Sequence, residues 1–185
     1  MIRWLRNVML CVLLMLGLGL LVLGMARFRP GAGDVSSSIG IAAPPDAVFA
    51  TLADMDGAPA WIPGLKPVEK LTTGPMAVGS RYRLTVVSGA ETTVMEMQVT
   101  VLEPPRRLRF ILNGQGDPAM QFTELATYDL APDATGTLLT LGAHTDYQAL
   151  LTQLLEPLIT AAAQMQLGKT LANLKRTVEL AHPRK

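Results

Sequence analysis

LLTQLLEPLITAAAQMQLGKTLANLKRTVELA, residues 150–181, decides how the rest of the chain is read. Leu151, Leu155, Leu158, Ala162 and Met165 recur at three- and four-residue intervals, and Leu167, Leu171, Leu174 and Val178 continue the stripe slightly rotated. That is the spacing of one long amphipathic helix. Pro157 removes a hydrogen bond inside it and bends its axis, so the first turns, Leu150 to Glu156, can swing as a gate. About a hundred residues before it read as short alternating strands. One long helix must therefore cover one curved antiparallel sheet, and the space between them is the place for a ligand.

Period two is plainest in the hairpin from Ser80 to Leu102. Tyr82, Leu84 and Val86 alternate with Arg81, Arg83 and Thr85, then Met95, Met97, Val99 and Val101 with Glu96, Gln98 and Thr100. One face is buried and the other wet. Ser36–Ala42 and Val68–Thr72 precede this pair. Arg107–Leu112, Met120–Leu130 and Thr137–Tyr147 follow it, giving about seven strands. Between the first two lies a short helix, Asp46 to Ala53, with Pro45 at its first turn and Asp46 on its positive end. A further turn, Gly57 to Trp61, is ended by Ile62-Pro63-Gly64.

At the other end, residues 8–26 read VMLCVLLMLGLGLLVLGMA, eight of them leucine. The run has about the length that spans a bilayer core. Two readings are open, a retained transmembrane anchor and a cleaved signal peptide. The length of the run, and Arg27 and Arg29 directly after Gly24-Met25-Ala26, favour the anchor. Arg3, Arg6 and the terminal amine bias the N-terminus to the cytoplasm and the domain to the far side. The expected organisation is an anchor at 1–29, a tether at 30–35, an α+β domain at 36–181 and a polar tail at 182–185. Localisation is expected to be single-pass membrane, with the membrane as a partner through that helix.

The formal charge of +1 conceals an asymmetry: residues 30–185 carry 12 basic and 15 acidic side chains, a net −3. A nucleic-acid binder is normally basic there, so that class is set aside. One cysteine, Cys11, and two distant histidines, His144 and His182, offer no metal-ligand spacing. Gly114-Gln115-Gly116 leads into Asp117-Pro118 and a strand, so no helix start follows to hold a pyrophosphate. Neither metal nor cofactor is expected.

Pro45, Val48, Phe49, Leu52, Asp54 and the later Trp61 resemble the first-helix motif of the START-like helix-grip superfamily, also called SRPBCC. Val101-Leu102-Glu103-Pro104-Pro105-Arg106-Arg107-Leu108, Gly136-Thr137-Leu138-Leu139-Thr140, and Leu171, Leu174, Lys175, Val178 and Glu179 resemble its polyketide cyclase/dehydrase and lipid-transport branch. The likeness covers about Ser36 to Ala181. It implies a helix-grip fold whose central cavity takes lipids, polyketides, sterols, quinones or plant hormones in relatives. Such motifs hold a fold and say little of chemistry.

Candidate ligand-binding residues are Trp61, Tyr82, Leu84, Met95, Met97, Val99, Phe110, Leu141, Leu158 and Met165. Methionine is flexible and polarisable and suits a wall that adapts to an oily guest. Catalytic groups are few. Glu124 shares parity with Phe122, Ala126, Tyr128 and Leu130, an apolar set; inside, its carboxyl has a raised pKa and can act as acid, base or ligand anchor, whereas a bulge or a strand starting later turns it outward. Tyr82 offers a hydroxyl. His144 and Asp146 have the opposite parity to Leu139 and Leu141 and are expected in solvent.

The function that follows is a membrane-anchored domain binding or carrying a hydrophobic small molecule, such as a lipid, quinone or polyketide-like compound. A cyclase/dehydratase-type enzyme and a ligand-free interaction module are the alternatives, and the thin catalytic inventory weighs toward binding.

Overall fold

A computed structural model describes residues 33–115, 121–147 and 150–183, together with Met9, Leu14, Met15 and Gly17; the side chains at 150, 151, 153 and 154 lie outside that description. Seven strands form one antiparallel sheet: β1 (Asp34–Ile41), β2 (Glu69–Lys70), β3 (Arg81–Ser88), β4 (Glu91–Glu103), β5 (Arg107–Gln115), β6 (Phe122–Asp133) and β7 (Gly136–Tyr147). Their order is β1-β7-β6-β5-β4-β3-β2. Two α-helices complete it, α1 (Pro45–Ala53) and α2 (Leu150–Ala181), with a 3-10 turn at Ala58–Ala60. This is the expected helix-grip architecture.

Alternation places one continuous inner face. Tyr82, Met97, Leu112, Glu124 and Thr145 stand side by side across β3 to β7, and Val99, Phe110, Ala126, Ala143 and Val35 form the next row. Arg81, Arg83 and Arg107 lie on the outer face, paired with Glu96, Glu69 and Asp129. One strand departs from strict alternation. A bulge between Val99 and Val101 inserts Thr100, so Val101 pairs with outward Arg109 and Leu102 turns in beside Leu108. Val101 was expected to share the face of Val99; the extra residue reverses it. At the β6–β7 turn Gly136 has φ +140, and a Cβ there would lie 2.4 Å from the Ile41 carbonyl oxygen. The turn can close on β1 only without a side chain.

The long helix lies along edge strand β1, held by polar side chains. Glu156 accepts the Gly33 N–H (3.1 Å), Gln164 donates to the Ser36 carbonyl (3.0 Å), Lys175 donates to that of Gly40 (2.7 Å), and Glu179 accepts the Ala42 N–H (2.8 Å). These contacts satisfy backbone groups that an edge strand leaves bare. They also fix which way the helix faces. Leu171, Leu174 and Val178 are fully buried in a core with Ile41, Val48, Leu52, Leu108 and Leu139. Leu155, Leu158 and Met165, expected in the same buried stripe, are 43%, 71% and 66% exposed.

The expected transmembrane helix is corrected here. No helix among the described residues is long and apolar enough to cross a membrane. The long helix α2 is interrupted by Glu156, Lys169, Lys175, Arg176 and Glu179. The run 8–26, with the anchor and tether boundaries drawn around it, lies outside the described residues except for Met9, Leu14, Met15 and Gly17. The fold class is therefore α+β helix-grip, with no membrane-spanning helix among the described residues. The single-pass membrane localisation, the membrane partner and the membrane-anchored function are withdrawn with it.

Candidate functional site

The interior is graded from closed to open. Where the last turns of α2 meet α1 and the sheet, side chains are in solid contact. Toward the first turns of α2 the inner face thins: Val86, Met95, Leu112, Phe122 and Glu124 are only half-buried, and Leu155, Leu158 and Met165 of the helix are exposed. Gly114 contributes no side chain, and the Phe122 ring fills that place, since a Cβ on Gly114 would lie 2.7 Å from it.

Glu124 stands on the border between these halves, on the inner face as its parity requires. Away from the exposed hairpin tip at Glu91, it is the one acidic side chain on the inner face among the described strand residues. Burial raises its pKa above the ordinary 4.5, and the hydrogen bond that Thr145 Oγ1 donates to Oε2 (3.3 Å) offsets this only in part. Tyr147, one row further out, also has a raised pKa. Burial is the largest cause, opposed by a hydrogen bond with Thr145 and reinforced by the charges of Glu124 and Glu156. Deeper, Tyr128 is buried, its hydroxyl pushed far up by burial and then by Glu124, and its ring meets Phe110 edge-on at 6.0 Å. A carboxyl with a raised pKa thus lies near phenols whose pKa values are raised as well. That arrangement can donate a proton to a ligand oxygen and take one back.

The sequence candidates divide between the two halves. Trp61, Tyr82, Leu84, Met97, Val99, Phe110 and Leu141 are buried together with the core. Met95 is half-buried against it, while Leu158 and Met165 face out from the helix. Trp61 carries a buried indole N–H with no hydrogen-bond acceptor among the described residues. The gate expected at Leu150 to Glu156 falls partly on side chains outside the description. Its last residue, Glu156, is fixed by Gly33 and by the Thr160 hydroxyl (2.6 Å).

Sequence reading missed Thr145 and Tyr147, although both continue the inward parity of Leu141 and Ala143. It also missed Glu156, whose role depends on a strand far away in the chain. His144 and Asp146 lie on the outer face as expected, joined by Asp34 at 2.6 Å from His144 Nδ1. Two open concavities are found elsewhere. One of about 430 Å³ lies between α1 and the β4–β5 turn, and one of about 360 Å³ lies on the outer face beside His144. Among the described residues no side-chain group is placed to hold a metal ion.

A long helix gripped by a curved antiparallel sheet defines a helix-grip domain. The family profile described as polyketide cyclase / dehydrase and lipid transport matches residues 32–179, and the chain belongs to that family. Solved structures share the fold. A conserved protein of Geobacillus kaustophilus is 18% identical, covering 80% of this chain and 97% of its own, with a TM-score of 0.68. The Zhui aromatase/cyclase of a Streptomyces species is 19% identical over 79% of this chain and 93% of its own, with a TM-score of 0.65. A Thermus thermophilus protein is 20% identical over 80% of this chain and 99% of its own, with a TM-score of 0.64. Among curated proteins none matches this sequence.

Proposed function

We propose that this domain takes an apolar, oxygen-bearing small molecule of polyketide-like or lipid-like character between the open half of the sheet and the first turns of α2. There it performs a cyclase/dehydratase-type reaction in which Glu124 moves the proton. The observation that carries this reading is the position of Glu124, an interior carboxyl with a raised pKa at the border of the packed core. The family and the Streptomyces aromatase/cyclase of the same fold support the reaction class.

In a dehydration, protonated Glu124 gives its proton to a β-hydroxyl of the ligand, which leaves as water. The carboxylate so formed takes the α-hydrogen as a proton while that C–H electron pair becomes the new C=C bond. Glu124 ends protonated, and the net change is loss of one water. The half-buried surround disfavours the charged intermediate form and speeds its reprotonation.

A second reading, carriage without turnover, is favoured by one observation: both described histidines lie off the inner face, so Glu124 has no imidazole partner there. The test uses a bicyclic β-hydroxy ketone whose dehydration and tautomerisation yield a naphthol with its own absorbance. The wild type is expected to form naphthol, and Glu124→Gln to lose about a hundredfold in rate with the ligand still bound. Equal turnover by Glu124→Gln refutes the assignment of Glu124. Binding without turnover in the wild type selects carriage.

A further inference from the structure

Thr145 is 9% exposed on the inner face of β7, and its hydroxyl is engaged on both sides. It gives its hydrogen to Glu124 Oε2, 3.3 Å away on β6. Two residues along β7, Tyr147 is hydrogen-bonded to the same hydroxyl. A hydroxyl has one hydrogen to give, so with that hydrogen directed at the carboxyl the phenol donates and Thr145 accepts. The chain of bonds runs from Tyr147 through Thr145 to Glu124. Its middle member is held by the backbone. The Thr145 N–H donates to the Gly33 carbonyl (3.1 Å), and Gly33, at φ +79, leaves no room for a Cβ against the Thr145 carbonyl oxygen. The Gly33 N–H in turn donates to Glu156 (3.1 Å), so α2 and the sheet fix this position together. Both ends of the chain, Glu124 and Tyr147, are half-buried and remain within reach of a guest in the open half. Tyr128 on β6 and Glu156 on α2 are the other titratable groups beside it among the described residues.

We propose that Thr145 and Tyr147 are positioning residues of the site: by committing a hydrogen to Oε2 of Glu124 they place the carboxyl's own proton on Oε1, the oxygen left to face the guest. The proposal rests on the reading that Glu124 moves the proton. Thr145 is the one hydrogen-bond partner of Glu124 among the described residues. An oxygen that already accepts a hydrogen is the poorer place for a second one, because the two hydrogens would be driven together. Oε1 then gives its proton to the leaving hydroxyl and, on the carboxylate, takes the α-hydrogen back on the same atom. Oε2 keeps its bond throughout, and that bond strengthens while the carboxylate is charged. Tyr147 keeps its proton and supplies direction only, since without it the Thr145 hydroxyl is free to turn its hydrogen elsewhere.

The test follows naphthol formation from the bicyclic β-hydroxy ketone across pH in Thr145→Val, which keeps the shape and loses the hydroxyl, beside Thr145→Ser and Tyr147→Phe. Thr145→Val is expected to lower kcat about tenfold with KM changed less than about twofold, the worth of one hydrogen bond to a charged group. The Thr145 bond lowers the Glu124 pKa, so without it the carboxyl holds its proton to a higher pH and the alkaline fall in rate moves upward. A packing defect alone leaves that limb where it was. Thr145→Ser is expected to recover most of the lost rate and return the limb, and Tyr147→Phe to show the same changes at smaller size. Carbon-13 NMR titration of the Glu124 carboxyl, run without substrate, is expected to place the midpoints in the same order, and it reads the chain even where the wild type binds without turnover. Should Thr145→Val fail to fold, Tyr147→Phe decides. A midpoint and alkaline limb unmoved in these variants overturn the roles of Thr145 and Tyr147, and Glu124 stands as long as Glu124→Gln loses turnover. Equal turnover by Glu124→Gln overturns the reading beneath them.

Discussion

Leu174 and Leu158 lie sixteen residues apart on one helix and should respond to the same truncation in opposite ways. Leu174 is completely buried against the α1 and sheet core, whereas Leu158 is 71% exposed. Leu→Ala deletes three carbons, worth about 2.4 kcal/mol at about 0.8 kcal/mol for each one fully buried. At Leu174 the cavity left behind adds to this, giving a loss of about 3 to 4 kcal/mol. At Leu158 less than a third of the transfer term applies, and the better helix propensity of alanine offsets part of it. The expected loss is below about 0.5 kcal/mol. For a domain of this size the two variants should differ by roughly 6–12 °C in Tm. Urea denaturation with circular dichroism reads both, with m unchanged between them. If Leu158→Ala costs as much stability as Leu174→Ala, the interior is packed along its whole length, and the division into closed and open halves is wrong.

Glu124 should also write itself into the pH dependence of stability. Below its ordinary value of 4.5 both folded and unfolded states hold the proton. As the pH rises through the higher folded value, the unfolded chain has already ionised while the folded one resists, so stability falls across that window and stays lower above it. Glu124→Gln should match the wild type at pH 4 and exceed it by about 1 kcal/mol at pH 8, and a variant less stable at pH 8 would refute the desolvation argument. For His144 the sign is reversed. The hydrogen bond it donates to Asp34 raises its pKa above 6.5, so its contribution is complete below that value and disappears as the pH climbs through the folded pKa. Because the pair is about half exposed, His144→Ala should cost under about 1 kcal/mol at pH 5.5 and nothing measurable at pH 9, checked by the same denaturation series.

Much of the sheet was legible because period two survives without any knowledge of neighbours. Glu124 could be placed inside from Phe122, Ala126, Tyr128 and Leu130, since β6 has no bulge to upset the count. Val101 could not be placed, because one inserted residue at Thr100 reverses everything after it, and alternation does not announce an insertion. The apolar stripe of Leu155, Leu158 and Met165 was equally readable as a stripe. A stripe shows which side of a helix is greasy, and only tertiary contacts show whether anything lies over it. The contacts that orient α2 come from Glu156, Gln164, Lys175 and Glu179, which in sequence look like any solvated face. Trp61 is one of the candidate ligand-binding residues read from the sequence. Its unpaired nitrogen is a fact about missing neighbours, which only coordinates supply.

The four polar side chains that α2 lays along β1 carry a consequence for self-association. A sheet with this many strands has two rims. β2 makes one of them unattractive by being two residues long and charged, Glu69 and Lys70. The other rim is eight residues long and holds Ser36, Ser37 and Ser38 with little charge to repel a neighbour. Clipping the chain between β7 and α2, or crowding the helix away from β1, would leave that rim free to recruit a strand from another copy. The long helix therefore covers the rim on which another copy would otherwise pair.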